Sequence, residues 1–472
     1  MKTIGIIGVG FTGTMTAVQL IEKATAPCEI TLINERETLN RGIAYNPYSD
    51  KHLLNVITAK MSAFPDQPDH FLDWIMERDD FKNKDKAFIA NSFLPRQLFG
   101  DYLVTIWEKY QAVAKSKNIK LTVIESFVVD LEVHPNSVEL WLDNNDKLLV
   151  DYGIIASGNQ VPKNPKIENP DFYQSKNYFQ NPWKIDSVLN INPDLPVLIV
   201  GNGLTMVDTV IALLEQGFKN EIYSISPNGF NILPHRHNGL KYTKLTEELR
   251  DDMSLYDLVK LVHKHIKAVR EYGATAEPVI DSLRPFTQNM WKRFTDEERS
   301  IFMSRFRHLW GVARHRIPIH SHDKLQQLRI DGKLKINSGR LLNFTEVADG
   351  ILVDYFDKKE HANKQVKVSR IINCTGPDTD LNNIEHSFLK NCLLKGLLKQ
   401  DTLKLGIVAD TTTFQVIDAN NQPHSNLFTL GGNLKGELWE STAVNELRTQ
   451  AERLAERLKP QNQPTVVQPL DA

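Results

Sequence analysis

Glycines near the amino terminus have the spacing of a turn that binds a dinucleotide. Gly8, Gly10 and Gly13 follow an apolar stretch and precede a helical pattern. In such a turn the first glycine permits the tight bend, the second lets the backbone approach a pyrophosphate, and the third lets helix and strand pack closely. Phe11 and Thr12 complete the turn, and the free N–H groups at the start of the helix attract phosphate. The sequence therefore predicts a dinucleotide site here.

A second turn of the same kind occurs in the middle of the chain. It comprises Gly201, Gly203, Leu204 and Thr205, with Met206 where a third glycine would stand. The methionine predicts slightly looser packing of strand on helix than in the first turn. Two such turns in one chain indicate two dinucleotides that face one another.

The residues that follow the second strand of each unit are the candidates for contacts to the two adenosine riboses. An acidic residue about 20 positions after the glycines usually binds a ribose hydroxyl; here Asn34 takes that position and Glu35 follows it. An amide can also bond a hydroxyl, so both residues stay candidates. After the second unit, Ser226–Gly229 contains no arginine for the 2′-phosphate of NADPH. Basic clusters at 235–237 and 314–316 could compensate and favour NADPH over NADH, or they are ordinary surface charges.

The hydrophobic pattern supplies, twice, the strand, helix and strand that must hold such a turn. The two units are Thr3–Ile7, Met15–Glu22 and Glu29–Ile33, and Val197–Val200, Thr205–Glu215 and Glu221–Ile225. We predict an α/β protein with two Rossmann-type dinucleotide-binding domains, the second inserted into the first, and with a helical insertion.

Composition limits the partners and the compartment. The 472 residues include 56 basic and 58 acidic side chains, a net charge of −2, which argues against nucleic acid as the main partner. The three cysteines form neither a CxxC pair nor a metal-ligand cluster, so we expect no metal site and a reducing compartment. The apolar stretch Ile4–Val9 is too short for a signal core or a membrane span. We expect a cytoplasmic protein without membrane contact; its oligomeric state stays open.

Several longer phrases resemble a bacterial family of FAD/NAD(P)-binding proteins, and the resemblance runs from about residue 1 to 455. The phrases are Arg41–Tyr45, His52–Val56, Lys60–Ala63, Asp69–Phe71, Pro95–Leu103, Gly203–Asp208 and Gly436–Ala443. That family is similar in architecture to class B flavin monooxygenases, including ornithine and lysine N-hydroxylases. The resemblance implies FAD and NADPH (or NADH) as cofactors, with dioxygen and a small molecule as substrates. The chain departs from the family's usual acidic residue at Asn34, and from its usual arginine at Pro227 or Asn228.

The resemblance assigns the predicted domains to their cofactors. Residues 1–190 and 373–460 would bind FAD, and residues 191–372 would bind the nicotinamide dinucleotide. The helical insertion would span about 243–310 and is where we expect substrate specificity. Residues 461–472 would form a loose tail.

The resemblance also implies a path for the flavin. Arg41 and Gly42 would pass the pyrophosphate, and Asn55 and Met61 would lie near the isoalloxazine ring. The Asn55 amide could donate a hydrogen bond to an oxygen anion in a dry site, or it is a turn residue that bonds backbone; Met61 is better explained by core packing. Arg96 contacts a phosphate or makes a plain ion pair.

Glycines and hydroxyls further along complete the predicted site. Gly158 and Gly376 end strands where the chain would cross between domains, and Gly432 lies in a glycine pair before the last helix. Ser441 or Thr442 could cap that helix, whose N-terminus would then face the N1–O2 edge of the flavin and stabilise its reduced form.

Three functions are compatible with these features. The first is a monooxygenase that hydroxylates a small amine or a similar nucleophile. The second is a flavin reductase or dehydrogenase, although a disulfide reductase would need a dithiol beside the flavin. The third is a dinucleotide-binding sensor without turnover.

Overall fold

The computed structural model describes residues 1–236, 239–384 and 388–461. His237 of the basic cluster at 235–237 and nearly all of the predicted tail lie outside the described residues. The strands in the described part are β1 Lys2–Ile7, β2 Cys28–Ile33, β3 Lys120–Ile124, β4 Val128–His134, β5 Ser137–Leu142, β6 Lys147–Val150, β7 Tyr152–Ile155, β8 Tyr178–Phe179, β9 Val197–Val200, β10 Ile222–Ser226, β11 Leu334–Val347, β12 Gly350–Asp357, β13 Ala362–Val368, β14 Arg370–Asn373, β15 Gln415–Ile417 and β16 Pro423–Thr429.

Helices connect many of these strands. The α-helices are α1 Phe11–Lys23, α2 His70–Glu77, α3 Lys86–Ala90, α4 Arg96–Ser116, α5 Leu204–Glu215, α6 Lys244–Glu247, α7 Leu255–Glu271, α8 Glu277–Ser282, α9 Thr287–Arg293, α10 Asp296–Ile301, α11 Arg307–Arg314, α12 Ile319–Ile330, α13 Phe388–Leu394 and α14 Val444–Leu458. Short 3₁₀ turns occur at Arg36–Thr38, Ile43–Tyr45, Thr58–Lys60, Pro170–Gln174, Ile185–Ser187, Arg284–Phe286 and Gly431–Leu434.

The first sheet has the order β15-β16-β7-β1-β2-β3. All its pairs are parallel except β15 with β16. Because β1 pairs with β2 on one side and β7 on the other, the strand order reverses at β1, and such a reversal opens a crevice at the carboxyl ends of the strands. Helix α1 covers this sheet and packs against α4 and α14. The first glycine turn thus lies at the crevice.

The second sheet repeats this arrangement in the order β13-β12-β11-β10-β9-β14-β8. Here β9 takes the place of β1, with β10 on one side and β14 on the other, all in parallel. Strands β11, β12 and β13 extend the sheet as an antiparallel meander. Strand β8 pairs with β14, so this sheet also takes in residues before 191.

Two smaller layers complete the fold. The sheet β4-β5-β6 packs Leu131, Val138 and Leu140 against the first sheet in one buried cluster. Helices α6 to α11 form a separate layer whose core includes Leu405 and Trp439 of the C-terminal part of the chain. A π-helical turn, Phe302–Phe306, joins α10 to α11 within that layer.

The predicted fold class is confirmed. Both strand–turn–helix–strand units are present, the second lies between parts of the first, and helices are inserted after β10. No helix among the described residues combines the length and the apolar character needed to cross a membrane.

Candidate active site

The first glycine turn is shaped by backbone contacts that only glycine permits. Gly8 has a φ of +89°, and a Cβ there would lie 2.6 Å from the carbonyl oxygen of Ala156. A Cβ on Gly13 would lie 2.0 Å from the carbonyl oxygen of Gly8, so helix α1 and strand β1 touch through backbone alone. The tight bend predicted for Gly8 and the close packing of helix on strand predicted for Gly13 are therefore present in the geometry.

The middle glycine of the turn meets a glycine from another loop. A Cβ on Gly10 would lie 3.3 Å from Cα of Gly42, and Gly42 itself has a φ of +60°. The first turn of α1 holds the N–H groups of Phe11 and Thr12, which have no acceptor within the helix, and this turn contains no acidic residue. The Phe11 ring packs against Phe99, so only its backbone can serve a phosphate.

Asn34 and Glu35 have different roles in the structure. The Asn34 side chain accepts a hydrogen bond from the Val9 N–H at 2.8 Å and donates to the Glu35 carbonyl and the Thr38 hydroxyl at 2.6 and 3.0 Å. It fastens β2 to the glycine turn. The Glu35 carboxylate accepts one hydrogen bond, from the Thr38 hydroxyl at 3.1 Å, and keeps capacity for a ligand.

Arg41 makes an ion pair with Asp101 of helix α4, at 2.8 Å. Beside it, a Cβ on Gly100 would lie 2.2 Å from the Tyr45 carbonyl oxygen, so α4 and the loop that carries Gly42 are in backbone contact. The sequence offered a signal for Gly100, because a glycine inside a 21-residue helix disfavours the helix unless packing requires it.

Arg96 connects the two units by an ion pair. Its guanidinium bonds the Asp208 carboxylate of helix α5 at 2.9 Å and the Leu53 carbonyl at 3.0 Å. His52 Nε2 donates to the Asp208 carbonyl at 3.1 Å. Of the two roles predicted for Arg96, the structure contains the ion pair.

Asn55 lies in a loop that the second unit contacts directly. His235 Nε2 donates to the Asn55 carbonyl oxygen at 2.8 Å, and burial lowers the pKa of His235, so its ring is neutral near pH 7. The half-buried Asn55 side-chain amide has no hydrogen-bond partner among the described residues. Met61 is 3% exposed in the first core, as core packing predicts.

The second glycine turn repeats the backbone contact made at Gly8 but has no counterpart of the contact made at Gly13. Gly201 has a φ of +101°, and a Cβ there would lie 2.6 Å from the Cys374 carbonyl oxygen, the counterpart of Ala156. Around Gly203 a Cβ would meet nothing within 4 Å, and the turn leads into Leu204 and Thr205 at the start of α5. Met206 is buried in the core beneath.

The two crossing turns are also open. Gly158 and Gly376 have φ values of +70° and +90°, and a Cβ on either would meet nothing within 4 Å. Each lies shortly after the end of a strand, β7 or β14, that pairs with the central strand of its sheet. The predicted equivalence of the two units therefore extends to these turns.

The predicted cap of the last helix is wrong. Helix α14 begins at Val444, and its N-cap residue is Ala443, without a side-chain hydrogen bond. Ser441 is instead fully buried: its hydroxyl donates to the Gly431 carbonyl at 2.8 Å and accepts from Gln450 at 2.7 Å. The buried bond outcompetes capping, and it fixes the glycine pair that includes Gly432. Thr442 lies beside Gly432, its methyl 4.0 Å from a Cβ there.

The basic cluster at 314–316 does not supply a free phosphate ligand. Arg314 pairs with Glu440 and Asp281, at 3.2 and 3.3 Å. Arg316 pairs with Asp281 at 2.5 Å. Both guanidiniums have carboxylate partners that sequence spacing did not reveal, and Arg236 lies 3.6 Å from Glu277. These pairs hold the helical layer in place.

A lysine outside the predicted clusters lies at the end of β10. Lys358 Nζ donates to the Pro227 carbonyl oxygen at 2.7 Å, and Ser338 donates to the same oxygen at 3.2 Å. The lysine is exposed, at the turn after β12. This is where a cation meets the 2′-phosphate in Rossmann units; sequence reasoning missed it because Lys358 is far away in the chain.

The cysteines are isolated. Cys28, Cys374 and Cys392 are buried free thiols, and burial raises the pKa of Cys374 to about 12. None is poised for thiolate chemistry. The described residues contain a group of candidate metal ligands, Glu132, His134 and Glu139, on the β4–β5 hairpin.

Residues 5–160 match the model of a protein family described as FAD-NAD(P)-binding. This range contains the first glycine turn, Asn34, Glu35 and Gly158. No curated protein sequence matches the chain.

Solved structures share the architecture over nearly the whole chain. Ornithine N-hydroxylase from Kutzneria sp. 744, with reduced FAD, NADP⁺ and L-ornithine, has a TM-score of 0.64 at 14% identity and covers 97% of this chain and 99% of its own. Ornithine hydroxylase from Pseudomonas aeruginosa has a TM-score of 0.65 at 13% sequence identity and covers 96% of this chain and 97% of its own. L-lysine 6-monooxygenase from Pseudomonas syringae has a TM-score of 0.61 at 14% sequence identity and covers 97% of this chain and 98% of its own. Residues 5–160 therefore match an FAD-NAD(P)-binding family, and the chain as a whole has the fold of these hydroxylases.

Proposed function

We propose that the protein is an FAD-dependent, NAD(P)H-reduced monooxygenase that hydroxylates a small amine or a similar nucleophile. One observation carries the proposal: the same glycine turn occurs twice, with Gly8 against Ala156 and Gly201 against Cys374. We call the turn at 8–13 the first cradle and the turn at 201–206 the second cradle. We assign FAD to residues 1–190 and 373–460, and the nicotinamide dinucleotide to residues 191–372, with β8 on the nicotinamide side. Dioxygen is the expected co-substrate, as the likeness to the hydroxylases supports.

The first cradle fits a pyrophosphate. Gly10 and Gly42 face each other without side chains, so a phosphate can reach the N–H groups of Phe11 and Thr12 at the start of α1. Glu35 has the free capacity to bond the adenosine ribose, while Asn34 holds the turn. When bound, FAD supplies the redox centre that accepts hydride from the nicotinamide and reacts with dioxygen.

Glu35→Ala is expected to weaken FAD binding by about tenfold or more, because a hydrogen bond to a charged group is worth roughly 1.5–3 kcal/mol. The matched control is Glu37→Ala, since Glu37 is an exposed carboxylate two positions away. The measurement is the dissociation constant of FAD from apoprotein, followed by flavin fluorescence. Equal affinities in the two variants would remove Glu35 from the ribose site.

The second cradle fits a nicotinamide dinucleotide. Gly203 leaves open space at the start of α5, where a pyrophosphate can lie against free N–H groups. Lys358 stands at the end of β10 and supplies the positive charge that Pro227 and Asn228 lack. This placement supports NADPH as the preferred reductant.

Lys358→Met is expected to raise the KM for NADPH by about tenfold and to leave the KM for NADH unchanged, since a charge-assisted phosphate contact is lost. The exposed neighbour Lys359 provides the control Lys359→Met. The readout is flavin reduction by each nucleotide, together with direct binding of 2′,5′-ADP and AMP. A parallel loss for NADH would show that Lys358 acts on fold rather than on the 2′-phosphate.

Asn55 is the candidate for the oxygen chemistry. Its carbonyl is held by His235, which fixes the loop between the two cradles, and its amide N–H groups remain available. Asn55→Leu is expected to lower hydroxylated product about a hundredfold, the range seen when a fixed donor to an oxygen anion is removed. Flavin reduction by NADPH would persist, and hydrogen peroxide would appear in place of product.

The experiment that tests the function supplies NADPH, oxygen and a panel of primary amines. Hydroxylated amine and hydrogen peroxide are both measured against NADPH consumed. A monooxygenase gives product with an amine in the panel; a reductase gives peroxide or reduced acceptor alone. A dithiol-dependent reductase is disfavoured because the three cysteines are buried and unpaired. A sensor without turnover would consume no NADPH.

A further inference from the structure

The helical layer and the C-terminal segment meet at a cluster of aromatic rings. Trp439 stacks on Trp291 with ring centroids 5.0 Å apart, and Phe302 lies edge-on to Trp439 at 5.4 Å. Phe302 also contacts Trp310 at 6.1 Å. This aromatic cluster joins α9, the π-helical turn and α11 to the segment that follows the glycine pair at 431–432.

One indole of the aromatic cluster has an unused donor. Trp291 Nε1 donates to the Gly436 carbonyl at 2.6 Å, and Trp310 Nε1 donates to Glu440 at 2.8 Å. Trp439 is 6% exposed, yet its Nε1 has no acceptor among the described residues. Leaving a buried donor unsatisfied is unfavourable, so we expect the Trp439 N–H to donate to an acceptor that is not part of the described chain.

Two cations of this region have no carboxylate partner among the described residues. Lys435 Nζ lies 5.6 Å from the Trp439 ring centroid and makes no ion pair or hydrogen bond among the described residues. Arg307 bonds only the ring of its neighbour His308, at 3.4 Å. By contrast, Arg314 one helix turn away from Trp310 has two carboxylates, Glu440 and Asp281. The helical layer thus pairs Arg314 with carboxylates, whereas Arg307 has none among the described residues.

The two cations are partly surrounded by protein and partly reached by water. Arg307 is exposed and Lys435 is half-buried, yet burial lowers the pKa of both groups, that of Lys435 to about 8, with the Arg307 charge adding to the effect. A side chain that water reaches but that protein surrounds is expected on the wall of a cleft. Arg307 directly follows the π-helical turn Phe302–Phe306, and such turns are frequent at functional sites.

We propose that Arg307, Lys435 and the Trp439 N–H form a site for the anionic oxygen group of the substrate, a carboxylate or a phosphate. The guanidinium presents two parallel donors to such a group, and the ammonium adds a compact charge. The site rests on the proposed function in one respect: its ligand is the molecule that is hydroxylated. It assigns the helical insertion a role in recognising the acidic end of that molecule.

The test is calorimetric titration of FAD-loaded protein with glutarate, and separately with inorganic phosphate, at constant ionic strength set by chloride. We expect saturable binding of at least one of them, and the tighter one identifies the anion. Lys435→Met and Arg307→Met, on separate elements, are each expected to weaken binding about tenfold; Trp439→Phe keeps the ring and loses only the donor. Lys115→Met, an exposed lysine on α4, is the control and keeps the wild-type affinity.

Absence of saturable binding to the wild type, or wild-type affinity in both cation variants, would overturn the proposal. Binding that appears only after FAD is removed would also overturn it, because the charges would then serve the cofactor. The assay uses neither NADPH nor oxygen. A protein that binds the anion through these residues but is not reduced by nicotinamide would therefore refute the proposed function and leave this site standing.

Discussion

Gly13→Ala is expected to destabilise the protein by about 3 kcal/mol, the upper end for overpacking, and to abolish FAD binding. The added Cβ would lie 2.0 Å from the Gly8 carbonyl oxygen, and backbone atoms cannot rotate away as a side chain can. Helix α1 must therefore move off β1, which withdraws its N–H groups from the pyrophosphate. Denaturant unfolding and the flavin content of purified protein measure the two effects.

The second unit offers the matched control. Gly203→Ala adds a Cβ that would meet nothing within 4 Å, so we expect wild-type stability and full FAD content. Only nicotinamide binding should weaken, because the methyl group occupies space that the pyrophosphate needs. A Gly13→Ala protein that folds normally and keeps its FAD would contradict the role given to the first cradle.

Arg314→Met is expected to lower the free energy of unfolding by about 3–5 kcal/mol, the range for breaking a buried ion pair from one side. Arg314 and Glu440 are each 12% exposed and 3.2 Å apart. Without the guanidinium, the Glu440 carboxylate keeps only the Trp310 N–H and stays buried with its charge. The contact between the helical layer and the C-terminal segment would loosen first.

The double variant Arg314→Met with Glu440→Gln separates charge from packing. Glutamine is neutral and can still accept the Trp310 N–H, so most of the lost stability should return. Arg250→Met provides the surface control, because Arg250 and Asp252 are 66% and 79% exposed and such pairs contribute little. Urea unfolding of the three proteins makes the comparison; a double variant no more stable than Arg314→Met would exclude the buried charge as the cause.

The local parts of the fold could be predicted from the sequence. The turns at Gly8 and Gly201 each combine a short apolar strand, glycine spacing and a helix within a few residues, and those are near-neighbour effects. The second turn has Met206 where the first has Gly13, and the structure shows the difference. Gly13 lies against the backbone of Gly8, whereas the Met206 side chain fills a core position. The structure therefore contains the strand, glycine turn and helix that the sequence predicts within each βαβ unit.

Contacts between distant parts of the chain could not be predicted in this way. Gly42 meets Gly10 across a loop, and Arg314 finds Glu440, neither of which any spacing rule connects. The spacing from the glycines does not separate Asn34 from Glu35; the structure does, because the Asn34 amide oxygen accepts the Val9 N–H. Ser441 has the right residue type and position for a cap, but a buried partner, Gln450, determines its role.

The most direct test of the two proposed cradles is to mix FAD-loaded protein with NADPH without oxygen and to follow the visible absorbance of the flavin. We predict rapid bleaching whose rate saturates as the NADPH concentration rises. In the Gly203→Ala variant, saturation should require a higher NADPH concentration. Protein that binds FAD but is bleached by neither NADPH nor NADH would contradict the assignment of the second cradle. Protein that binds no FAD at all would contradict the first.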